Sequence, residues 1–417
     1  MRLVARSTFV RQTAKFISAA AILAAATESQ AQLDGQQTST EATGRRFRDF
    51  LAVVQSAKDS SARRTIIDEY LARVRSHSRA IIEDSTVYFV YQGKARSVAI
   101  AGDLNGWDPS ADTMTRIPRT NLFVLSKNVP PAARFEYKFV VDSAWILDPL
   151  NAQKVMGGYG ANSEIWMPRY QPPPDIEYRP DILHGKLETL SITSSLLQRT
   201  HPVFVYLPPS YKKSGRKKFP TLYVTDGGEY ITLARMTNVL DNLIAEKRIE
   251  PIIGVFVDPR TDIRDLSTSK RMFDYTMSDT FVSFITDELR GSLTKKYRLT
   301  SAPENTGIMG ASLGGLIATY TAFKRPDVFG LCAAQSPSYW WKNDSMITIA
   351  RQSPRKNIRF YISTGTIRDA QEKASAMKIV LERKEYAVKY EEHPEGHNWA
   401  NWRARLANLL EYFWSGK

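Results

Sequence analysis

The spacing of apolar residues changes character along the chain. Between residues 45 and 82 it is helical. Phe47, Phe50, Leu51 and Val54 mark one face, and Ile66, Ile67, Tyr70, Leu71 and Val74 mark another. Recurrence at three and four residues predicts two short amphipathic helices that pack on a neighbouring unit. Between residues 83 and 168 the period shortens to two. Val87–Tyr91 and Ser97–Ala101 read as strands, Phe135–Asp142 alternates as a half-buried strand does, and Gly102–Pro109 is a dense turn sequence. A small antiparallel β-sandwich of the immunoglobulin-like kind is the fold this implies.

Pro172, Pro173 and Pro174 stiffen an extended linker over 169–184. From 185 to 417 strand-like and helical runs alternate. The strands are Lys186–Ser194, Val203–Leu207, Thr221–Val224, Ile252–Val257, Arg359–Ser363 and Val388–Glu392. Helical stretches fall at Ile231–Ile244, Phe281–Tyr297 and Ala370–Arg383, with a last helix running to Phe413. Such alternation predicts an α/β unit with a mostly parallel sheet covered on both faces.

Ahead of these patterned regions, residues 1–31 read as a secretory signal peptide. Arg2, Arg6, Arg11 and Lys15 form a basic start, Phe16–Ala26 is apolar, and Ser29-Gln30-Ala31 is a small-x-small cleavage site. The Gln/Ser/Thr-rich stretch 32–44 reads as a disordered tether. These features imply a periplasmic or secreted protein. The remaining sequence contains no run long and apolar enough for a transmembrane helix. Cys332 is the single cysteine, so no intrachain disulfide can form, and its apolar neighbours predict a buried structural thiol.

The chain carries a formal charge of +14, which favours anionic partners such as acidic glycans, catecholates or lipid headgroups. Nucleic-acid binding is not expected, because no binding motif accompanies the charge. Metal-ligand clusters, phosphate loops and dinucleotide fingerprints are missing from the pattern, so no cofactor and no metal are implied.

Chemistry concentrates at Gly310-Ala311-Ser312-Leu313-Gly314. This Gly-x-Ser-x-Gly sequence lies between a short apolar run and a helix of small and apolar residues, the context of a nucleophile elbow. Such a turn holds the Ser312 hydroxyl at the end of a strand, where first-turn N–H groups, including that of Leu313, can face an oxyanion. In an α/β sheet this is the α/β-hydrolase arrangement, which places the acid next and the histidine last. Only His393 and His397 lie downstream. His397 is the expected base because it sits on a Gly-containing loop before the final helix, whereas His393 ends a strand. Asp369, on the loop after Arg359–Ser363, is the expected acid that orients His397. Its other reading is a helix cap, and Asp344, Glu391 and Glu392 are the alternative acids. The second oxyanion donor is expected at Gly227 or Gly228, on the loop that follows Thr221–Val224.

Two resemblances sharpen this picture. Gly102-Asp-Leu-Asn-Gly-Trp107, followed by Tyr137-Lys-Phe and Trp145 with Asp148-Pro149, is similar to the glycogen-binding module also found at the N-terminus of isoamylase-type enzymes. That likeness implies possible polysaccharide contact through Trp107, Trp145 and Trp166, or else core roles for them. From about residue 185 onward the chain resembles the esterase-D or enterochelin-esterase-like family. The matching blocks are the run from Tyr206, Asp226-Gly227, Arg264-Asp265-Leu266, the elbow with Ser336–Trp341, and Gly396-His397-Asn398-Trp399. The resemblance implies Ser312 as nucleophile, His397 as base and Arg264 near the substrate. At the acid, Asp369 stands where relatives typically carry Glu. Trp340, Trp341 and Trp399 either line an aromatic acyl site or pack the core.

The expected activity is therefore that of an exported serine esterase that takes a small-molecule or glycan-linked ester. Siderophore trilactone-type or related aromatic esters are one substrate class, and feruloyl or acetyl esters of plant polysaccharide are the other. A secreted glycan-binding protein with an idle hydrolase unit is the reading from a different functional class.

Overall fold

A computed structural model of the chain describes residues 46–77 and 79–415. The expected leader and tether lie outside the described residues. The helical spacing near the N-terminus becomes two helices, Phe47–Ser56 and Ser60–His77. Phe47, Phe50, Val54, Ile67, Tyr70, Leu71 and Val74 bury their side chains, and the rings of Phe50 and Tyr70 stack 4.0 Å apart. This apolar face packs on Ile81, Val90, Leu122 and Val124 of the sheet that follows.

Two antiparallel sheets come next. One runs Ile81–Glu83, Thr86–Gln92, Leu122–Asn128, Thr115–Arg116, and the other Val98–Gly102, Arg134–Val141, Gly160–Trp166, Lys154–Gly157. Alternate residues of both sheets (Phe89 and Phe123 from one, Ile100, Phe135, Phe139 and Ile165 from the other) share one apolar core. A period of two buries every second side chain, which is why the alternation was visible in the sequence.

The proline-rich stretch is strapped down rather than spanning solvent. Ile176 is buried, and Asn242 Nδ2 donates to the carbonyls of Asp175 and Glu177.

The large sheet has eight strands, in the order Lys186–Ser194, Arg199–Leu207, Ile253–Val257, Thr221–Thr225, Thr306–Ala311, Leu331–Gln335, Arg359–Gly365, Val388–His393. The first two pairings are antiparallel and the other five parallel. Its central strands are buried throughout, as expected when helices cover both faces. Cys332 lies fully buried in one of them, and burial pushes its thiol up to about 12, so it stays a protonated core residue.

Several helices differ from expectation. The stretch Ile231–Ile244 is two helices, Gly227–Thr232 and Met236–Ala245, broken where Arg235 takes φ 51°. Phe281–Tyr297 holds one wide turn, Phe284–Leu289, between helical ends. The last helix divides into Trp399–Ala404 and Leu406–Trp414.

Candidate active site

The buried strand Thr306–Ala311 delivers Ser312 to the head of helix Leu313–Lys324. Ser312 has φ 58° and ψ −121°, a conformation that a non-glycine residue holds only when its surroundings impose it. Closeness of the chain explains the flanking glycine. A Cβ on Gly310 would lie 2.1 Å from Thr225 Oγ1 and 2.5 Å from the carbonyl carbon of Gly314. The Ser312 N–H donates to the Gln335 carbonyl at 2.9 Å, and its hydroxyl meets Ser338 Oγ at 3.2 Å. No hydrogen bond joins Ser312 to His397 among the described residues, although both line one cavity. Catalytic contacts of this kind are often long until substrate arrives.

His397 Nδ1 donates to Asp369 Oδ1 at 2.6 Å, the tautomer being assigned from the carboxylate it faces. Asp369 is fixed from its other side. Its Oδ2 accepts from Ser336 Oγ at 2.6 Å, from the Gly365 N–H at 2.5 Å and from Thr364 Oγ1 at 3.2 Å. Burial alone would raise this carboxyl, but the His397 hydrogen bond and charge, with Ser336 and Gly365, hold it below its ordinary value. A further tie reaches Ser336, whose Oγ accepts from Trp402 Nε1 at 2.9 Å.

The helix-cap reading of Asp369 fails, because Ala370 is the N-cap of Gln371–Arg383 and no side chain caps it. The alternative acids are engaged elsewhere: Asp344 with Lys373 at 2.8 Å, Glu391 with Tyr361 at 2.7 Å, and Glu392 with Tyr390 and Gln371. His393 lies between Glu391 and Arg405, away from the Asp369 carboxylate.

Of the two glycines expected as oxyanion donors, Gly228 already donates its N–H to Asp258 Oδ2 at 3.0 Å. The N–H groups of Gly227 and Leu313 meet no acceptor among the described residues, and each opens a helix. Arg271 braces this corner by a two-point ion pair with Asp226 and by donating to the Ala311 carbonyl at 3.1 Å.

Ser312, His397, Trp399 and Trp402 open onto a cavity of about 670 Å³. Its far wall is formed by Trp107, Trp145, Gly158 and Tyr159 of the N-terminal sheets. Trp107 and Trp145 lie nearly parallel, 14° between planes and 6.5 Å between centroids. Trp166 is tilted against Tyr170 instead and is not in this wall.

Three expected substrate residues sit elsewhere. Arg264 is 86% exposed and pairs with Asp262 at 3.0 Å, because a turn brings that carboxylate within two residues of it. Trp340 is 54% exposed outside the cavity, and Trp341 packs against the core beneath it.

Charged groups also line the cavity, and of these Asp103, Lys138 and Asp226 belong to blocks marked in the sequence: Lys138, Arg260 and Arg271 face Asp103, Glu136, Asp226 and Glu229. Burial first and Asp226 second raise Glu229 to about 7, and burial with Glu136 does the same for Asp103. These residues come from five separate segments, so only the fold reveals their proximity.

A family model described as putative esterase matches residues 194–413, just over half of the chain. An iron(III) enterobactin esterase of Escherichia coli is 27% identical over 47% of this chain and 47% of its own length. An endo-1,4-beta-xylanase/feruloyl esterase of Xylanibacter ruminicola is 25% identical over 57% of this chain and 32% of its own. The chain thus spans about half or less of these relatives. The crystal structure of ferric enterobactin esterase from Salmonella typhimurium superposes with a TM-score of 0.67 at 20% identity, covering 79% of this chain and 93% of that one. That likeness establishes a shared mixed α/β fold with antiparallel sheets near the N-terminus.

Proposed function

This chain belongs to the putative esterase family and is a carboxylic ester hydrolase; from that premise we propose an acyl-enzyme route with Ser312 as nucleophile. His397 takes the Ser312 proton as the hydroxyl attacks the ester carbonyl, then gives it to the leaving alcohol. Asp369 orients the imidazole and stabilises its cation. The Leu313 and Gly227 amides receive the oxyanion. Water then attacks the acyl-serine with the same base and releases the acid. The observation that carries this reading is the 2.6 Å bond between His397 and a buried, multiply anchored Asp369, in a cavity shared with a strained serine.

The substrate we infer is an aromatic ester of the siderophore-trilactone type or a relative of it. Trp107, Trp145, Tyr159, Trp399 and Trp402 give the cavity flat apolar walls suited to aromatic rings, and one relative is an enterobactin esterase. A second reading, feruloyl or acetyl esters on polysaccharide, is favoured by one observation. Four carboxyl groups line the cavity against three cations, which disfavours a strongly anionic ligand. In the same proposal residues 1–31 direct export, residues 83–168 are a sandwich of the glycogen-binding type, and residues 185–417 are an α/β-hydrolase unit. Ranking kcat/KM for enterobactin, its ferric complex, methyl ferulate and acetylated xylan tests the choice. Preference for acetylated xylan over every aromatic ester would overturn the aromatic assignment.

A further inference from the structure

We propose that Asp103, in the turn after strand Val98–Gly102, and Arg134, on strand Arg134–Val141, both outside the matched esterase region, are positioning residues for the loop that carries His397. The proposal rests on the role given to His397 above.

The loop 394–398 is held from two sides. On one side is the loop that carries Asp369, where the Ile367 N–H donates to the Glu395 carbonyl at 3.1 Å and the Thr366 N–H to that of His393 at 2.8 Å. On the other side are the N-terminal sheets. Asn398, next to the histidine, donates from Nδ2 to Asp103 Oδ2 at 2.8 Å, and its Oδ1 accepts from Arg134 Nη1 at 2.9 Å. The backbone joins in, since the Arg134 N–H donates to the Pro394 carbonyl at 3.1 Å. Approach is so close at Gly396 that a Cβ there would fall 2.3 Å from Asp103 Cγ. The same turn also meets the acid loop, where Arg368 Nε donates to the Leu104 carbonyl at 3.1 Å.

Asp103 and Arg134 can hold a loop in this way because neither is free to move. Arg134 is fully buried and paired with Glu136 at 2.9 Å and Glu164 at 2.5 Å. Asp103 is buried, accepts the Glu136 N–H at 2.8 Å, and accepts Trp107 Nε1 at 3.2 Å. Both partners of Asn398 are therefore rigid, and the side chain they grip is one residue from the base. A small displacement of a catalytic group is enough to lower turnover strongly, by about 10²-fold for 1 Å. The N-terminal sheets on this account set the position of the imidazole as well as walling the cavity.

The test uses the full chain and p-nitrophenyl acetate, with kcat expressed per folded molecule. Asp103→Ala is expected to lower kcat about 10²-fold while KM changes by no more than about threefold. Asp103→Asn keeps an acceptor oxygen for Asn398 and is expected to recover most of the loss. A role confined to folding would lower the folded fraction and leave kcat per folded molecule unchanged, and that result overturns the proposal. If Asp103→Ala does not fold, Asn398→Asp takes its place. It retains the oxygen facing Arg134 and the Asn401 N–H but sets a carboxylate against Asp103, and the same fall in kcat is expected. Unchanged kcat in Asn398→Asp overturns the proposal. Full activity in Ser312→Ala would instead sink the reading of the site on which it rests.

Discussion

Asp369 meets His397 with one carboxylate oxygen, Oδ1 to Nδ1 at 2.6 Å, while its other oxygen accepts from Ser336, Gly365 and Thr364. The arrangement leaves Asp369 no rotation that would keep all four partners. Asp369→Asn is expected to preserve the fold and lower kcat by up to about 10⁴, because an amide in this position favours the wrong imidazole tautomer. Some stability should be lost as well, since the ionised carboxylate is held by four hydrogen bonds, so kcat is taken per folded molecule. A nearly silent Asp369→Asn in steady-state kinetics would leave a two-residue Ser–His mechanism.

Ser312→Ala is expected to abolish both ester hydrolysis and labelling by a fluorophosphonate. Turnover of about 10³-fold over water can persist from the oxyanion donors and binding alone. Mass spectrometry of the labelled wild-type chain should place the adduct on Ser312. An adduct elsewhere refutes the assignment.

His397→Ala should cost as much activity as Ser312→Ala, whereas His393→Ala should leave kcat within about threefold of wild type. His393 holds Arg405 at 2.8 Å and Glu391 at 3.4 Å, so its loss is expected in the melting temperature instead. The reverse ranking in kcat would exchange the two histidines.

Arg271→Met should destabilise the chain by about 3–5 kcal/mol, since it leaves Asp226 buried without its charge partner. With Arg271 in place Asp226 is 1% exposed, so its carboxylate relies on the guanidinium for compensation. Adding Asp226→Asn should recover part of the loss. Urea midpoints of the single and double variants read this directly, and additive losses would contradict it.

Stability should also depend on pH through Glu229, whose carboxyl is raised from 4.5 to about 7 by burial and by Asp226. Below pH 4.5 the folded and unfolded chains both hold this proton. As pH rises toward 7 the unfolded chain releases it first, so stability falls across that window. Glu229→Gln removes the effect and is expected to stabilise by on the order of 1 kcal/mol at pH 8 and hardly at all at pH 4. Melting curves at the two pH values with equal shifts would refute this.

What could be read from sequence was local. The elbow, the His397 loop and the alternation of Phe135–Asp142 each show themselves within about eight residues, because periodicity and turn chemistry act over that range. The contacts that complete the site do not. Asp226 and Arg271 are 45 residues apart, and Asn398 lies 264 residues from Arg134 and 295 from Asp103. Arg264 shows a different limit of local reading. A motif position suggested a substrate contact, and a carboxylate two residues away had already claimed the guanidinium. The start of helix Trp341–Gln352 is not legible in the sequence, since Lys342, Asn343 and Asp344 take positive φ and form a kink that no periodicity marks.

The bond from Trp402 Nε1 to Ser336 Oγ has a consequence for timing. A ribosome makes Ser312, Ser336, Asp369 and His397 before it makes Trp402, so the support behind the acid arrives after every reacting group. A nascent chain stalled just past Asn398 would hold the full set of reactive side chains with Ser336 Oγ still lacking its Trp402 donor. Competence is then expected only as the Trp399–Ala404 helix docks and Trp402 reaches Ser336. Fluorophosphonate capture during timed in vitro translation would register that step, with label appearing only once the Trp399–Ala404 helix has left the exit tunnel.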